Sequence, residues 1–383
     1  MVAISKDRPE DRDSIKPREE REITIKVVDN ENLERYLTDP LLTHLRLSSP
    51  NIHDADFSVL ESFPKLETLF IGKAAIQKSI IPLLSSIKNL KDLAFGMCEF
   101  LHPSVIDDIS SVESLTKLRF WANGGMNGLD LGPLGDCRLL GDVFLANNGL
   151  RSIDLSFVET LQDLRILRLD MNPLGSIDLT PLSHCPDLEE LSLGEADLDE
   201  IDLSPLKSCR HIMIIRLVTN NLSEADLQPL AGTEIEELYL NENRLRTIDL
   251  TPLAECPLLS RLRISSNRLT TIDLSPLSNC KELSYLSIGG NKFKTVDLTP
   301  LAECHSLTEL DVYHGRLTSI DLSPLAYCKD LEHLELSHNR LTSIDLTPLS
   351  ECRVLKSIYL KENRLTELDK SPLNSDYYVD VRW

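Results

Sequence analysis

Hydrophobic residues along this chain follow one pattern, L-x-x-L-x-L-x-x-N-x-L, which recurs almost every 24 residues. The alternation in its L-x-L core has the period of a β-strand that buries one face. The pattern therefore predicts one short strand in each repeat, with the leucines facing the interior. The first positions of the fourteen repeats are Leu42, Leu66, Leu90, Leu115, Leu140, Leu164, Leu188, Ile212, Ile235, Leu259, Leu283, Leu307, Leu331 and Leu355.

The second half of each repeat reads I-D-L-[ST]-P-L-x-x-C in most copies. Serine or threonine followed by proline is typical of a helix start, with the hydroxyl residue as N-cap and proline at the first helical position. This phrase predicts a short helical return segment whose leucine and cysteine point inward. Asparagine at the ninth position is expected to satisfy backbone groups at the turn, so that successive asparagines form a ladder.

A motif that recurs fourteen times in register resembles the leucine-rich repeat family over residues 41 to 370. The resemblance implies an α/β fold, a curved horseshoe solenoid. Its parallel β-sheet would line the concave face, and its short helical segments the convex face. The repeat length and the I-x-x-I-D-L phrase are similar to the protein phosphatase-1 regulatory-subunit class. The position of the cysteine is similar to the BspA-like class.

The flanks of the repeats predict the remaining organisation of the chain. Residues 1–21 alternate charges with few apolar residues and are expected to be disordered. Residues 22–40 suggest a strand and a short helix that cap the first coil, because a bare terminal coil would expose its leucines. Residues 41–370 form the solenoid, and residues 371–383 are expected to add a terminal strand as C-terminal cap.

Charge and cysteine usage narrow the function classes. A net charge of -21 disfavours binding to nucleic acid or anionic lipid. The first residues lack the apolar run of a secretory signal, and no segment has the length needed to insert into a membrane. Most of the nine cysteines recur at one repeat position, which indicates buried packing rather than disulfides or zinc. We expect a cytoplasmic monomer.

Two charged columns follow the repeat. The aspartate of I-D-L recurs in eleven consecutive repeats, and we interpret it as a solvated acidic column rather than a row of calcium sites, because each loop offers one carboxylate. A basic column follows the asparagine position, and we interpret it as a solvated edge that balances neighbouring acids rather than a phosphate-binding strip. The basic column comprises Arg244, Arg268, Lys292, Arg316, Arg340 and Arg364.

Candidate catalytic and metal chemistry is sparse. His314 and His338 occupy the same position in adjacent repeats, and Asp311 and Glu335 lie on the strands before them. These are metal-ligand types, but polar side chains on an exposed sheet are the simpler interpretation, so no metal site and no cofactor is predicted. The sequence has no nucleotide-binding glycine motif and no arrangement that can be argued as a catalytic triad. We expect the protein not to be an enzyme.

The concave face carries the more informative side chains. Arginine, tyrosine and tryptophan are enriched at binding hot spots, and they recur at the outward-pointing strand positions. The sequence therefore predicts a scaffold or adaptor that recognises a protein partner through this face. The alternative is a receptor for carbohydrate or another small polar ligand that stacks on the aromatic rings. The predicted partner-binding residues are Trp121, Phe144, Ile166, Arg168, Ile214, Arg216, Val218, Tyr239, Arg263 and Tyr285.

Overall fold

A computed structural model describes residues 22–25, 39–48, 57–76, 84, 87–101, 104–373 and 379–383. The chain divides into two compact units, Met1–Leu174 and Gly175–Trp383. Residues 1–21, which were predicted to be disordered, and most of the predicted N-terminal cap lie outside the described residues. The domain boundaries drawn from the sequence stay predictions.

The first unit is built on a parallel sheet with one strand per coil. Its strands pair in the order β1-β2-β3-β5-β7-β8-β9, and β4 and β6 form a separate two-stranded sheet. The strands are β1 (Glu22–Ile25), β2 (His44–Ser48), β3 (Thr68–Gly72), β4 (Ala75–Ile76), β5 (Asp92–Gly96), β6 (Phe100–Leu101), β7 (Lys117–Trp121), β8 (Asp142–Phe144) and β9 (Ile166–Arg168).

The second unit repeats this arrangement in sequence order from β10 to β18, again with parallel pairing. Its strands are β10 (Glu190–Ser192), β11 (Ile214–Arg216), β12 (Glu237–Tyr239), β13 (Arg261–Arg263), β14 (Tyr285–Ser287), β15 (Glu309–Asp311), β16 (His333–Glu335), β17 (Ser357–Tyr359) and β18 (Asp380–Arg382). Equivalent residues of successive repeats are direct partners, as in Arg216↔Tyr239 and Tyr239↔Arg263. The 24-residue period therefore places equivalent side chains in continuous columns.

Helical segments connect the strands, and within each unit most neighbouring helical segments pack on one another. The first unit contains η1 (Phe57–Ser62), α1 (Val105–Ser110), η2 (Gly132–Asp136) and η3 (Ser156–Thr160). The second contains η4 (Thr180–His184), η5 (Ser204–Ser208), η6 (Gln228–Leu230), η7 (Thr251–Glu255), η8 (Ser275–Asn279), η9 (Thr299–Glu303), η10 (Ser323–Tyr327) and η11 (Thr347–Glu351). All of these except α1 are 3-10 helices, whose tighter winding suits segments of one or two turns.

The predicted N-cap was wrong. Thr180 and Ser204 make no side-chain cap; the leucine before each is the N-cap residue, so that the threonine or serine is already helical. The acidic column supplies the missing acceptor: Asp178 Oδ1 accepts the backbone N–H of Thr180, and Asp202 Oδ1 that of Ser204, both at 2.8 Å. Hydrogen bonds from Thr180 lower the pKa of Asp178, since they favour its charged form.

The interior of each coil is filled by the predicted leucines, with the cysteines and asparagines in fixed places. Cys304 is fully buried, and its thiol donates to the carbonyl of Leu277 at 3.3 Å. Asn267 is 7% exposed, and its amide donates to the carbonyls of Leu240 and Ile264. The predicted asparagine ladder and the packing role of the cysteine column are both present in the described coils.

The eighth position of the repeat adopts left-handed backbone in thirteen successive coils. The φ angles at this position range from 48° at His314 to 67° at Gly290, and Gly290 is the one glycine among these thirteen residues. Left-handed geometry costs an ordinary L-residue about 1 kcal/mol or more. Thr219, with φ 55°, is the β-branched member of this set and is the least suited to it.

We expect Thr219→Asn to raise the free energy of unfolding by about 0.5–1 kcal/mol, because asparagine tolerates left-handed backbone better than a β-branched residue does. Urea unfolding followed by circular dichroism measures this gain. The matched control is Thr271→Asn, at an exposed threonine without left-handed geometry. A gain of the same size in the control would show that backbone geometry is not its cause.

Candidate partner-binding face

In the first unit, Trp121 lies at the end of β7 and is part of a layered stack. Its indole stacks on Phe70 with ring centres 5.1 Å apart and an angle of 15° between planes. The guanidinium of Arg46 lies 4.1 Å from the centre of the Phe70 ring. A Cβ at Gly96 would collide with the indole, so glycine is needed beneath it. The stack is Arg46–Phe70–Trp121, and of its members only Trp121 was among the predicted binding residues.

Phe144 on β8 is the centre of a second group in this unit. The guanidinium of Arg168 lies 5.3 Å from its ring centre, and the ammonium of Lys117 lies 5.0 Å away. Lys117 also forms an ion pair with Asp142 at 2.9 Å. Ile166, on the neighbouring strand β9, is half-buried. Phe144, Ile166 and Arg168 therefore lie together, as the sequence predicted.

In the second unit the predicted residues form an arginine–aromatic ladder, defined here as Arg216, Tyr239, Arg263 and Tyr285. The guanidinium carbons of Arg216 and Arg263 lie 5.3 and 5.5 Å from the centre of the Tyr239 ring, and each comes from a strand beside β12. Arg263 also lies 4.6 Å from the ring centre of Tyr285. Each such contact between a cation and an aromatic face contributes about 0.5–1 kcal/mol at a partly exposed site.

Carboxylates on neighbouring strand positions form ion pairs and hydrogen bonds with the residues of the ladder. Arg216 forms ion pairs with Glu190 and with Glu237, the latter at 3.3 Å. The hydroxyl of Tyr239 donates to Glu237 at 2.8 Å, and that of Tyr285 donates to Asp311 at 2.6 Å. Burial raises the pKa of Tyr239, and the hydrogen bond to Glu237 acts in the same direction. The strand positions of Glu190 and Glu237 place them beside the arginines in the sequence, and Asp311 was considered there as a metal-ligand type, but none of the three was among the predicted binding residues.

The predicted binding residues differ in how much surface they offer. Ile214 and Val218 are half-buried, as are Arg216, Tyr239 and Arg263. Tyr285 is only 8% exposed, since Arg263 and Asp311 enclose it, so it supports the ladder more than it presents a surface. Within the described residues, the Nε of Arg263 is buried without a hydrogen-bond partner.

A polar cleft of about 650 Å³ lies on the same unit and contains the four residues considered for metal binding. The imidazoles of His314 and His338 stack with ring centres 3.9 Å apart, and Asp311 and Glu335 line the cleft with them. Asp311 accepts a hydrogen bond from the hydroxyl of Tyr285, and Glu335 accepts one from the backbone N–H of Ser337. In the described part of the chain, no group of three or more His, Cys, Asp or Glu side chains has the arrangement of a metal site.

The comparison with known families identifies the repeat in the second unit. A family model described as a leucine-rich repeat matches residues 257–317 and 305–365. No curated protein matches the chain. Among the helices of the described residues, none combines the length and the apolar character that crossing a membrane requires.

Solved structures share the fold over most of the chain. An internalin, InlF of Listeria monocytogenes, is 25% identical over 94% of this chain and 89% of its own, with a TM-score of 0.64. The functional domain of InlJ from the same organism, which includes a cysteine ladder, is 19% identical over 85% and 69%, with a TM-score of 0.61. The plant peptide hormone receptor RGFR1, in complex with RGF2, is 20% identical over 92% and 64%, with a TM-score of 0.60.

The coil-by-coil parallel strands, the buried leucines and asparagines, and these structural matches agree. Residues 257–365 are leucine-rich repeats by sequence, and the chain has the fold of a leucine-rich repeat solenoid.

Proposed function

We propose that this protein is a scaffold or adaptor, without enzymatic activity, that binds a protein partner through the exposed face of its sheet. The arginine–aromatic ladder carries this proposal. Its side chains already contact one another and the flanking carboxylates, so a partner that docks on them loses less side-chain entropy than it would on mobile residues. Arginine and tyrosine are also the residues that dominate binding energy at protein interfaces.

One structural relative supports a polypeptide partner, since RGFR1 is a peptide hormone receptor in complex with RGF2. The alternative, a carbohydrate ligand, needs aromatic faces that are open for stacking on sugar rings. Trp121 stacks on Phe70, and Tyr239 lies between two arginines. We therefore favour a protein partner over a carbohydrate.

Location, assembly and subclass are further parts of the proposal. We propose a cytoplasmic monomer that binds no nucleic acid. The repeat length and the I-x-x-I-D-L phrase favour the protein phosphatase-1 regulatory-subunit class. The position of the cysteine favours the BspA-like class.

We expect Ile214→Ala and Tyr239→Ala to weaken partner binding by about 2 kcal/mol each, roughly thirtyfold in Kd. Both side chains are half-buried on the exposed face of the sheet. Arg216 is a poorer probe, because removing it leaves Glu190, which is 5% exposed, without this ion pair. Quantitative pulldown from lysate identifies the partner, and titration with the purified partner measures the change.

The controls are Asp273→Asn and Asp297→Asn on the helical side of the coils, each paired with circular dichroism to verify folding. We expect both to bind the partner as the unchanged protein does. Loss of binding in the controls with retention in Ile214→Ala and Tyr239→Ala would refute the proposed face. Saturable binding on a glycan array, reduced by Tyr239→Ala, would support the carbohydrate alternative instead.

A further inference from the structure

The basic column does not balance neighbouring acids as the sequence suggested. All six of its side chains are exposed, and within the described residues none of them forms an ion pair or a side-chain hydrogen bond. Lysines and arginines elsewhere on this unit do find carboxylates, as Lys281 pairs with Glu303 at 2.7 Å and Lys356 pairs with Glu332. The basic column is therefore a row of cations without a counter-charge in a protein whose net charge is -21.

The backbone fixes the spacing of this row. The N–H of each member donates to a carbonyl of the preceding coil at distances between 2.7 and 3.0 Å, for example Arg268 to Leu245 and Arg340 to Leu317. Successive cations are thus one coil apart, which is about 4.8 Å in a parallel sheet, so the six span about 24 Å. An extended peptide of eight residues has a similar length, about 27 Å.

The residues next to the column along the chain include no carboxylate in its middle four coils. In the four coils from Arg268 to Arg340, no residue from three positions before the cation to four positions after it is acidic. Lys294 adds another positive charge there. The nearest carboxylates along the chain are five residues away: Asp311 and Glu335 precede Arg316 and Arg340, and the acidic column follows each cation. Asp311 and Glu335 accept hydrogen bonds from Tyr285 and Ser337, and Asp273 and Asp297 accept backbone N–H groups. The column is therefore locally positive over several coils.

We propose that the basic column is a second interaction surface, separate from the exposed sheet face, that binds an extended carboxylate-rich segment of a protein partner. Five of the six cations are arginines, whose planar guanidinium groups bind carboxylates with two parallel hydrogen bonds. A short acidic segment can place all of its negative charges against the cations of the column. A long polyanion such as nucleic acid would extend over the rest of a protein of charge -21, which repels it.

The test is fluorescence anisotropy with a labelled octapeptide of glutamate, compared with a labelled oligothymidylate and a heparin fragment of similar length. The test variant carries Arg268→Ser, Lys292→Ser, Arg316→Ser and Arg340→Ser together. The matched control carries Lys207→Ser, Arg210→Ser, Lys329→Ser and Arg353→Ser, four exposed cations of the same unit outside the column. Both variants change the net charge equally, so only a local surface distinguishes them.

We expect the unchanged protein to bind the glutamate peptide, the test variant to bind it about tenfold or more weakly, and the control variant to stay within about twofold, with binding weakened as salt rises. Circular dichroism verifies that both variants are folded. Three outcomes would overturn the proposal: no binding of the glutamate peptide, an equal loss in the control variant, or tighter binding of oligothymidylate or heparin than of the peptide.

Discussion

Raising the pH from about 7 to about 10 is expected to destabilise the second unit strongly, because its cysteines can ionise only in the unfolded chain. Burial raises the pKa of Cys304 to about 11 and that of Cys280 and Cys328 to about 12. An unfolded thiol titrates near pH 8.5. Between these values the unfolded state has lost protons that the folded state keeps, so unfolding becomes more favourable as pH rises.

The magnitude follows from the number of thiols involved. Each contributes about 1.4 kcal/mol of unfolding free energy per pH unit once the unfolded thiol is ionised. Seven cysteines of this unit are buried, and the pKa of six of them is raised to about 11 or 12. The combined slope of these six is about 8 kcal/mol per pH unit. The six are Cys185, Cys209, Cys280, Cys304, Cys328 and Cys352.

Urea unfolding in reducing buffer at several pH values measures this slope. The comparison is a variant with Cys280→Ala, Cys304→Ala and Cys328→Ala, which should be less stable at neutral pH, because cavities form. Its free energy of unfolding should also fall less steeply at alkaline pH, with a slope smaller than that of the unchanged protein by about 4 kcal/mol per pH unit. Tyrosine ionisation is common to both proteins and cancels. Equal slopes in the two proteins would show that the thiols do not control alkaline stability.

Asn267→Ala is expected to lower the free energy of unfolding by about 4 kcal/mol, since it leaves several buried backbone groups without partners. The amide of Asn267 donates to the carbonyls of Leu240 and Ile264 at 2.9 and 3.1 Å. Its Oδ1 accepts the N–H of Leu245 at 3.0 Å. One side chain therefore joins its own coil to the one before it, and alanine cannot replace any of these bonds.

Urea unfolding at neutral pH measures the loss, with Asn279→Ala as the matched control. Asn279 is exposed on η8 and donates one hydrogen bond, to Ala254 at 3.2 Å, so its loss should cost no more than about 1 kcal/mol. Asn267→Asp keeps the acceptor but not the donors, and should be nearly as harmful as alanine. Similar small losses in Asn267→Ala and Asn279→Ala would contradict the role assigned to the ladder.

The sequence by itself determined the strands, the inward leucines, the cysteine packing and the asparagine ladder. A two-residue alternation inside a 24-residue period leaves one arrangement that turns the leucines of the motif inward, and each coil repeats it. The strand positions of Arg216, Tyr239 and Arg263 were also predictable, because equal repeat positions become neighbours in a parallel sheet. The capping side chain was not predictable from the sequence. Whether Asp178 or Thr180 caps the helix depends on the exact residue at which the helix begins, and a shift of one residue changes the answer.

The tertiary structure decided which neighbours each side chain contacts. The sequence placed Arg216 on the exposed face, but its pairing with Glu190 and Glu237 depends on side-chain rotamers and on the distance between coils. The same applies to the stack of Trp121 on Phe70, which come from different coils. The sequence suggested that the basic column is neutralised by nearby acids, whereas the coil geometry leaves its cations unpaired. The repeat position determines the column in which a residue lies. Which side chains touch across neighbouring coils depends on rotamers and on the spacing of the coils, and the sequence period specifies neither.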